Sequence, residues 1–357
     1  MMIRRLQSGD ILLQMTEAVT PAVTAENLQP FCATNASHTM IYDSNGNNEG
    51  TVIHSARGRY QSGVRSHALS LLQPIYAPIG WCLVLPLNED ELSEKLVTAA
   101  RRWDIKLSAK EMKDELIKKS YSIFTDSENM THLQTKFTAA EERKADQGSP
   151  EQINHYELYR AFRAYLRNHA KPVRPLSKNK GVSCSNFVSY ALKVAAIETI
   201  FPHGLTTEIK DKLNEIEAKK TGKIKKLSQL QANFPEDFAA FEEIVSKHLK
   251  KLAKADNINY LELLYHPVKA HDIDAFCQSL FKLENLCAEP GVLVYGKSDN
   301  GALTPYVLSH AAYLALPDNI CASNNSILPT DMINQLLNTK AENVQVATIK
   351  PNNTPAA

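Results

Sequence analysis

The chain has no surplus of either charge: 40 Lys plus Arg stand against 39 Asp plus Glu, a formal net charge of +1. No global basic field exists to recruit nucleic acid or an anionic membrane surface, so no nucleic-acid partner is expected. No apolar run approaches the ~20 residues that cross a bilayer, and no membrane span is expected. The opening MMIRRLQSGDILLQM carries two arginines but reaches Gly9-Asp10 before an apolar h-region forms, unlike a secretory leader. The expectation is a chain made in the cytoplasm, with secretion into a host cell by a specialised system that reads some other signal left open.

Paired cysteines are also missing. Cys32, Cys82, Cys184, Cys277, Cys287 and Cys321 are scattered without a CxxC pair in a chain long enough to hold itself together by its own core. That excludes a disulfide framework and a cysteine-rich zinc site. The histidines show no HExxH and no paired metal spacing, so His67, His132, His155, His169, His203, His248, His266, His271 and His310 receive no role on sequence grounds. Neither a metal nor a cofactor is expected.

At 357 residues with an ordinary apolar share of 43%, the chain has room for two modest domains or for one core with large insertions. Residues 1–87 read as strands and turns. GDILLQM follows a Gly-Asp turn, HTMIYDSNGNNEGTVIHSA reads as a hairpin around an Asn/Gly connection, and YAPIGWCLVLPL is a further apolar run. From Asn88 the pattern turns helical: NEDELSEKLVTAARRW, SAKEMKDELIKK and SPEQINHYELYRAFRAYLRNHA each open on a capping signal. The stripe Tyr156, Tyr159, Phe162 and Tyr165 in the last of these has the spacing of a packed helix face. Residues 206–255 are charged and helical, with acids and bases one turn apart, the pattern of a solvated face. HDIDAFCQSLFKLENL reads as a helix, PGVLVYGK and TPYVLSHAAYLAL as strands, and 340–357 as a flexible tail. No internal repeat is present.

Between the Pro/Lys-rich PVRPLSKNKG and the apolar run SCSNFVSYALKVAAIETI stands Cys184. It would lie in the first turn of a helix, with Ser183 as N-cap. A cysteine attacks as thiolate and must be activated, and unpaired N–H groups and the helix dipole favour a negative sulfur there. It also needs a histidine, itself oriented by a third polar group. His38 begins one strand of the hairpin and His54 lies in the other, so antiparallel pairing brings the two close. The residues alone leave two readings open: Cys184 as a small core thiol, or Cys184 as a nucleophile.

Taken in order, Gly9-Asp10-Ile-Leu, His38 entering HTMIY, His54 in VIH, Gly63-Val64 and finally Ser-Cys-Ser-Asn-Phe-Val resemble the circularly permuted NlpC-type papain-like hydrolases. That group includes the YiiX-like amidases and the lecithin:retinol acyltransferase relatives, in which the histidine strand precedes the cysteine helix. The resemblance implies Cys184 as nucleophile, His38 as general base and His54 as the orienting third residue. A histidine in third place and the Cys-x-x-Phe-Val run are closer to the acyltransferase branch, whereas Ser183 stands where those enzymes carry Asn.

The expected fold is α+β: a permuted papain-like core with an antiparallel sheet and a cysteine-bearing helix, plus large helical insertions. Residues 1–88, 173–203 and 263–320 would form the core, 89–172 a helical insertion and 204–262 a charged helical insertion. The expected function is cysteine-dependent hydrolysis or acyl transfer on a peptide, amide or acyl-lipid substrate, in a bacterial effector. The alternative is a non-catalytic effector that binds a protein partner through the helical insertions on a papain-like scaffold.

Overall fold

The computed structural model describes residues 3–15, 36–44, 50–56, 63–69, 81–104, 150–169, 184–221, 224, 227–252, 260–265, 290–297, 301, 303–309, 312–313 and 327–338. Within them the chain is α+β, with nine strands in one open sheet and eight helices.

The strands are β1 (Ile3–Arg5), β2 (Ile11–Met15), β3 (Ala36–Asp43), β4 (Thr51–Ala56), β5 (Gly63–Ala68), β6 (Trp81–Leu85), β7 (Gly291–Lys297), β8 (Leu303–Ser309) and β9 (Ile327–Leu328). Their order is β1-β8-β7-β6-β2-β3-β4-β5, all antiparallel, and β9 adds to β7 in parallel. β2 opens on three consecutive apolar residues, Ile11-Leu12-Leu13, because it is central and covered on both faces. Ile11 and Leu13 join the main core, while Leu12 joins a second cluster with Met40, Tyr42, Val52, Val84, Leu293 and Val307. Gly9, in the turn before β2, has φ +93°, and a Cβ there would run into Ser93. Glycine is therefore required both for the backbone angle and for the close approach to the first helix.

The helices are α1 (Asp90–Trp103), α2 (Pro150–His169), α3 (Cys184–Ile200), α4 (Thr207–Ala218), α5 (Leu227–Asn233), α6 (Pro235–Leu252), α7 (Tyr260–Tyr265) and α8 (Thr330–Asn338). A helix that is apolar all round is buried, and α3 lies at the centre: Phe187, Val188, Ala191, Leu192, Val194, Ala195, Ala196 and Ile197 are all inaccessible. It packs on β3 and β4 on one side and against α1, α2 and α7 elsewhere. The aromatic stripe of α2 is indeed packing: Phe162 meets Phe241 of α6 edge to face, with centroids 5.2 Å apart, and Tyr159 lies 4.9 Å from Phe238.

Both stretches expected as insertions share the apolar cluster that contains the sheet and α3: Leu92, Leu96 and Trp103 of α1, Phe162 of α2, Leu213 of α4 and Phe241 of α6 belong to it. The charge run is solvated as its pattern implied, but it is also cross-linked, with Lys212 of α4 2.9 Å from Asp237 of α6. The expected helices over 108–119 and 271–286, the N-cap Ser183 and the tail 340–357 lie outside the described residues. Among the described residues no helix is long and apolar enough to cross a membrane.

Candidate active site

Cys184 is the first residue of α3, where backbone N–H groups lack partners within the helix and the dipole favours a negative sulfur. The packing of α3 on β3 brings the thiol to His38 and Thr39. Burial pushes the Cys184 thiol up, but the charge of His38, together with hydrogen bonds to His38 and to the Thr39 backbone, outweighs it and brings the thiol down to about 7. About half of it is then thiolate at neutral pH.

His38 is held in turn by His54. β3 and β4 pair as an antiparallel hairpin with Ile41 opposite Ile53, and the two histidines lie just past that pair. His38 Nε2 is 2.6 Å from His54 Nδ1, with ring centroids 4.9 Å apart and the planes at 77°. Since Nε2 of His38 is taken, Nδ1 is the nitrogen left to face the sulfur. His54 is 1% exposed. Burial, then the neighbouring His38 and His67, hold its imidazole well below the ordinary range, so it stays neutral. The structure thus brings Cys184, His38 and His54 together.

The line of rings continues to His67, which sequence reasoning left without a role. His54 Nε2 is 2.7 Å from His67 Nδ1, with centroids 5.0 Å apart. The β4–β5 register sets this: His54 lies opposite Arg65, and His67 is two residues further along the same side of β5. Applying strand alternation to the second hairpin, SHA after GVR, would have been the signal that found it.

α1 fastens the other side of these strands. Arg101 makes a bidentate pair with Asp43 of β3, 2.6 Å at each oxygen. Asp104, whose N–H closes the end of α1 on Ala100 and Arg101, accepts a hydrogen bond from Ser66 Oγ of β5. Asp104 favours the charged form of His67, while burial and Arg65 disfavour it; burial is the largest of the three and the imidazole is lowered overall.

The three imidazoles meet nitrogen to nitrogen and do not converge on a point, which is the geometry of a proton path and not of a metal cage. Among the described residues no group of His, Cys, Asp and Glu is arranged to hold a metal ion. His155, His169 and His248 pair with Glu242, Glu198 and Glu208 on the helices, away from the thiol.

The class defined by fold and site is an α+β protein in which a thiol at a helix N-terminus contacts a chain of strand-borne imidazoles. No family model, curated protein or solved structure matches the chain.

Proposed function

We propose that the protein is a cysteine-dependent hydrolase or acyltransferase of the permuted papain-like kind, with Cys184 as nucleophile, His38 as base and acid, and His54 as the residue that orients His38. One observation carries the reading: a thiol brought down to about 7 at a helix N-terminus, beside an imidazole whose far nitrogen is engaged by a second, neutral imidazole. The strand order supports it, because the histidine strands pair with each other ahead of the cysteine helix that packs on them.

In the reaction the Cys184 thiolate attacks the carbonyl carbon of an amide, ester or thioester. The carbonyl π pair moves onto oxygen, and the backbone N–H groups at the start of α3, which point out of the helix end, receive the oxyanion. As the tetrahedral species collapses, the bond to the leaving group breaks and the proton on His38 passes to that group. Water or an amine then gives its proton to His38 and attacks the acyl-thioester, and the sulfur leaves as thiolate. Throughout, His54 fixes the ring of His38 with one nitrogen toward the sulfur.

The test is the pH profile of Cys184 alkylation by iodoacetamide in the full chain. We expect a midpoint near 7 in the wild type, a shift toward ~8.5 in His38→Ala, and loss of labelling in Cys184→Ala. With a substrate in hand, His38→Ala is expected to lower turnover by about 10²- to 10⁴-fold. A wild-type profile with the midpoint of a free thiol, unaltered by His38→Ala, would overturn the reading. Function would then belong to the helical surfaces and a protein partner.

A further inference from the structure

The line from the thiol through two imidazoles does not stop where the chemistry above stops. It crosses three neighbouring strands, one ring on each, and its third ring lies nearer to solvent than the second: His54 is 1% exposed and His67 is only half-buried. Resting on the reading of Cys184 and His38 as a thiolate–imidazolium pair, we propose that His67 is the outer end of the site's proton relay. It is a positioning residue that sets the tautomers of His54 and His38 and shares their positive charge.

The bookkeeping of protons supports this. Each N···N contact holds one proton, so the atoms from sulfur outward form a single directed series. With charge on His38, that ring carries protons on both nitrogens, His54 carries one on Nε2, and His67 carries one on Nε2. If the proton on His38 Nε2 passes to His54 Nδ1 while the proton on His54 Nε2 passes to His67 Nδ1, the charge moves to His67 with no atom gained or lost. His38 still presents its Nδ1 proton to the thiolate. The middle ring never carries the charge, in agreement with the burial that keeps His54 neutral.

At the outer end solvent reaches the ring. The charged groups that act on His67 are Asp104 at the end of α1, which attracts the charge, and Arg65 on its own strand, which repels it. Burial is the largest influence and holds His67 below the ordinary range, so His67 takes the smaller share of the charge, and Asp104 is what favours that share. Without His67, the proton on His54 Nε2 loses its acceptor, and His54 loses the preference that keeps Nδ1 free for His38.

The experiment compares alkylation profiles of the wild type, His67→Phe, His67→Gln and His38→Ala in the full chain. His67→Phe should move the midpoint upward by about half a unit to one unit. That slows alkylation at pH 6.5 by roughly 3- to 10-fold and leaves it unchanged at pH 9.5, where Cys184 is almost fully ionised in both proteins. His67→Gln, whose amide oxygen accepts from His54 but carries no charge, should fall between the two. A His67→Phe profile that superimposes on the wild type, while His38→Ala still removes the low-pH reactivity, overturns the relay and leaves the catalytic reading standing. A free-thiol profile in the wild type, unaltered by His38→Ala, overturns both. Should His67→Phe fail to fold, ¹⁵N NMR of the wild type decides: the His67 ring is expected to show a shift step at the midpoint of thiol ionisation, and the absence of that step overturns the proposal.

Discussion

Cys184 and Cys82 are the two thiols among the described residues, and their surroundings push them in opposite directions. Cys82 lies on β6. Burial pushes it up to about 12, against a hydrogen bond from the Leu13 backbone. Cys184 is brought down to about 7 by His38. At pH 7 the difference in thiolate fraction is several orders of magnitude. Iodoacetamide treatment of the folded protein at that pH, followed by peptide mapping, should therefore modify Cys184 and spare Cys82; equal modification would contradict the assigned environments. At this scale the sequence was legible where chemistry has a local signature. A cysteine opening an apolar helix and two histidines in one hairpin could be paired on paper. His67 needed a further step, strand alternation carried into a second hairpin, because its contact depends on that hairpin's register and on the diagonal reach from His54 across to β5. Asp104 is further still from inference, since it reaches β5 only after α1 has docked.

At the scale of the element, α3 buries a charge among its apolar residues. Lys193 is fully inaccessible and lies 3.5 Å from Glu157 of α2, which also binds Arg160 at 2.7 Å. Burial brings the Lys193 ammonium down to about 8, more than Glu157 recovers, and Arg160 lowers it further. The folded value lies below the unfolded one, so between about pH 8 and 10.4 the unfolded chain binds more protons and stability rises with pH. Lys193→Met should remove that rise, with little loss of stability at pH 7 because Arg160 still satisfies Glu157. Glu157→Ala should instead cost about 3–5 kcal/mol, since it leaves buried cations facing each other. Urea unfolding of the two variants and the wild type at pH 7 and pH 9.5 measures both effects, and a rise equal in wild type and Lys193→Met would refute the assignment. The long elements were readable from periodicity and breakers: the helix over 184–200, the hairpin of β3 and β4, and the strands at 291–297 and 303–309. The two-residue β9 was not. It pairs with β7 in parallel, and so short a strand has no period to detect.

For the whole molecule, the composition changes after Asn88, and the helices of both stretches that follow from that change feed one apolar cluster with the sheet and α3. The charged outer face of α4 to α6 covers an inner face of Leu213, Phe238, Phe241 and Val245. A shared core implies that distant damage reaches the thiol. Phe241→Ala should destabilise by about 3–5 kcal/mol. The loss of low-pH reactivity at Cys184 should coincide in denaturant with the loss of near-UV circular dichroism. If the thiol kept its reactivity after α6 had melted, the helices would be an independent unit.

The order of the site residues along the chain has a consequence during synthesis. His38, His54 and His67 leave the ribosome first, and Cys184 follows His38 by roughly 150 residues, or roughly 7–30 s at ~5–20 residues per second. Until α3 docks on β3 and β4, Cys184 has neither a helix terminus nor an imidazole beside it and behaves as an ordinary, largely protonated thiol. The nascent chain is thus spared an exposed reactive thiolate, and the thiol acquires its lowered ionisation in the same packing event that completes the core.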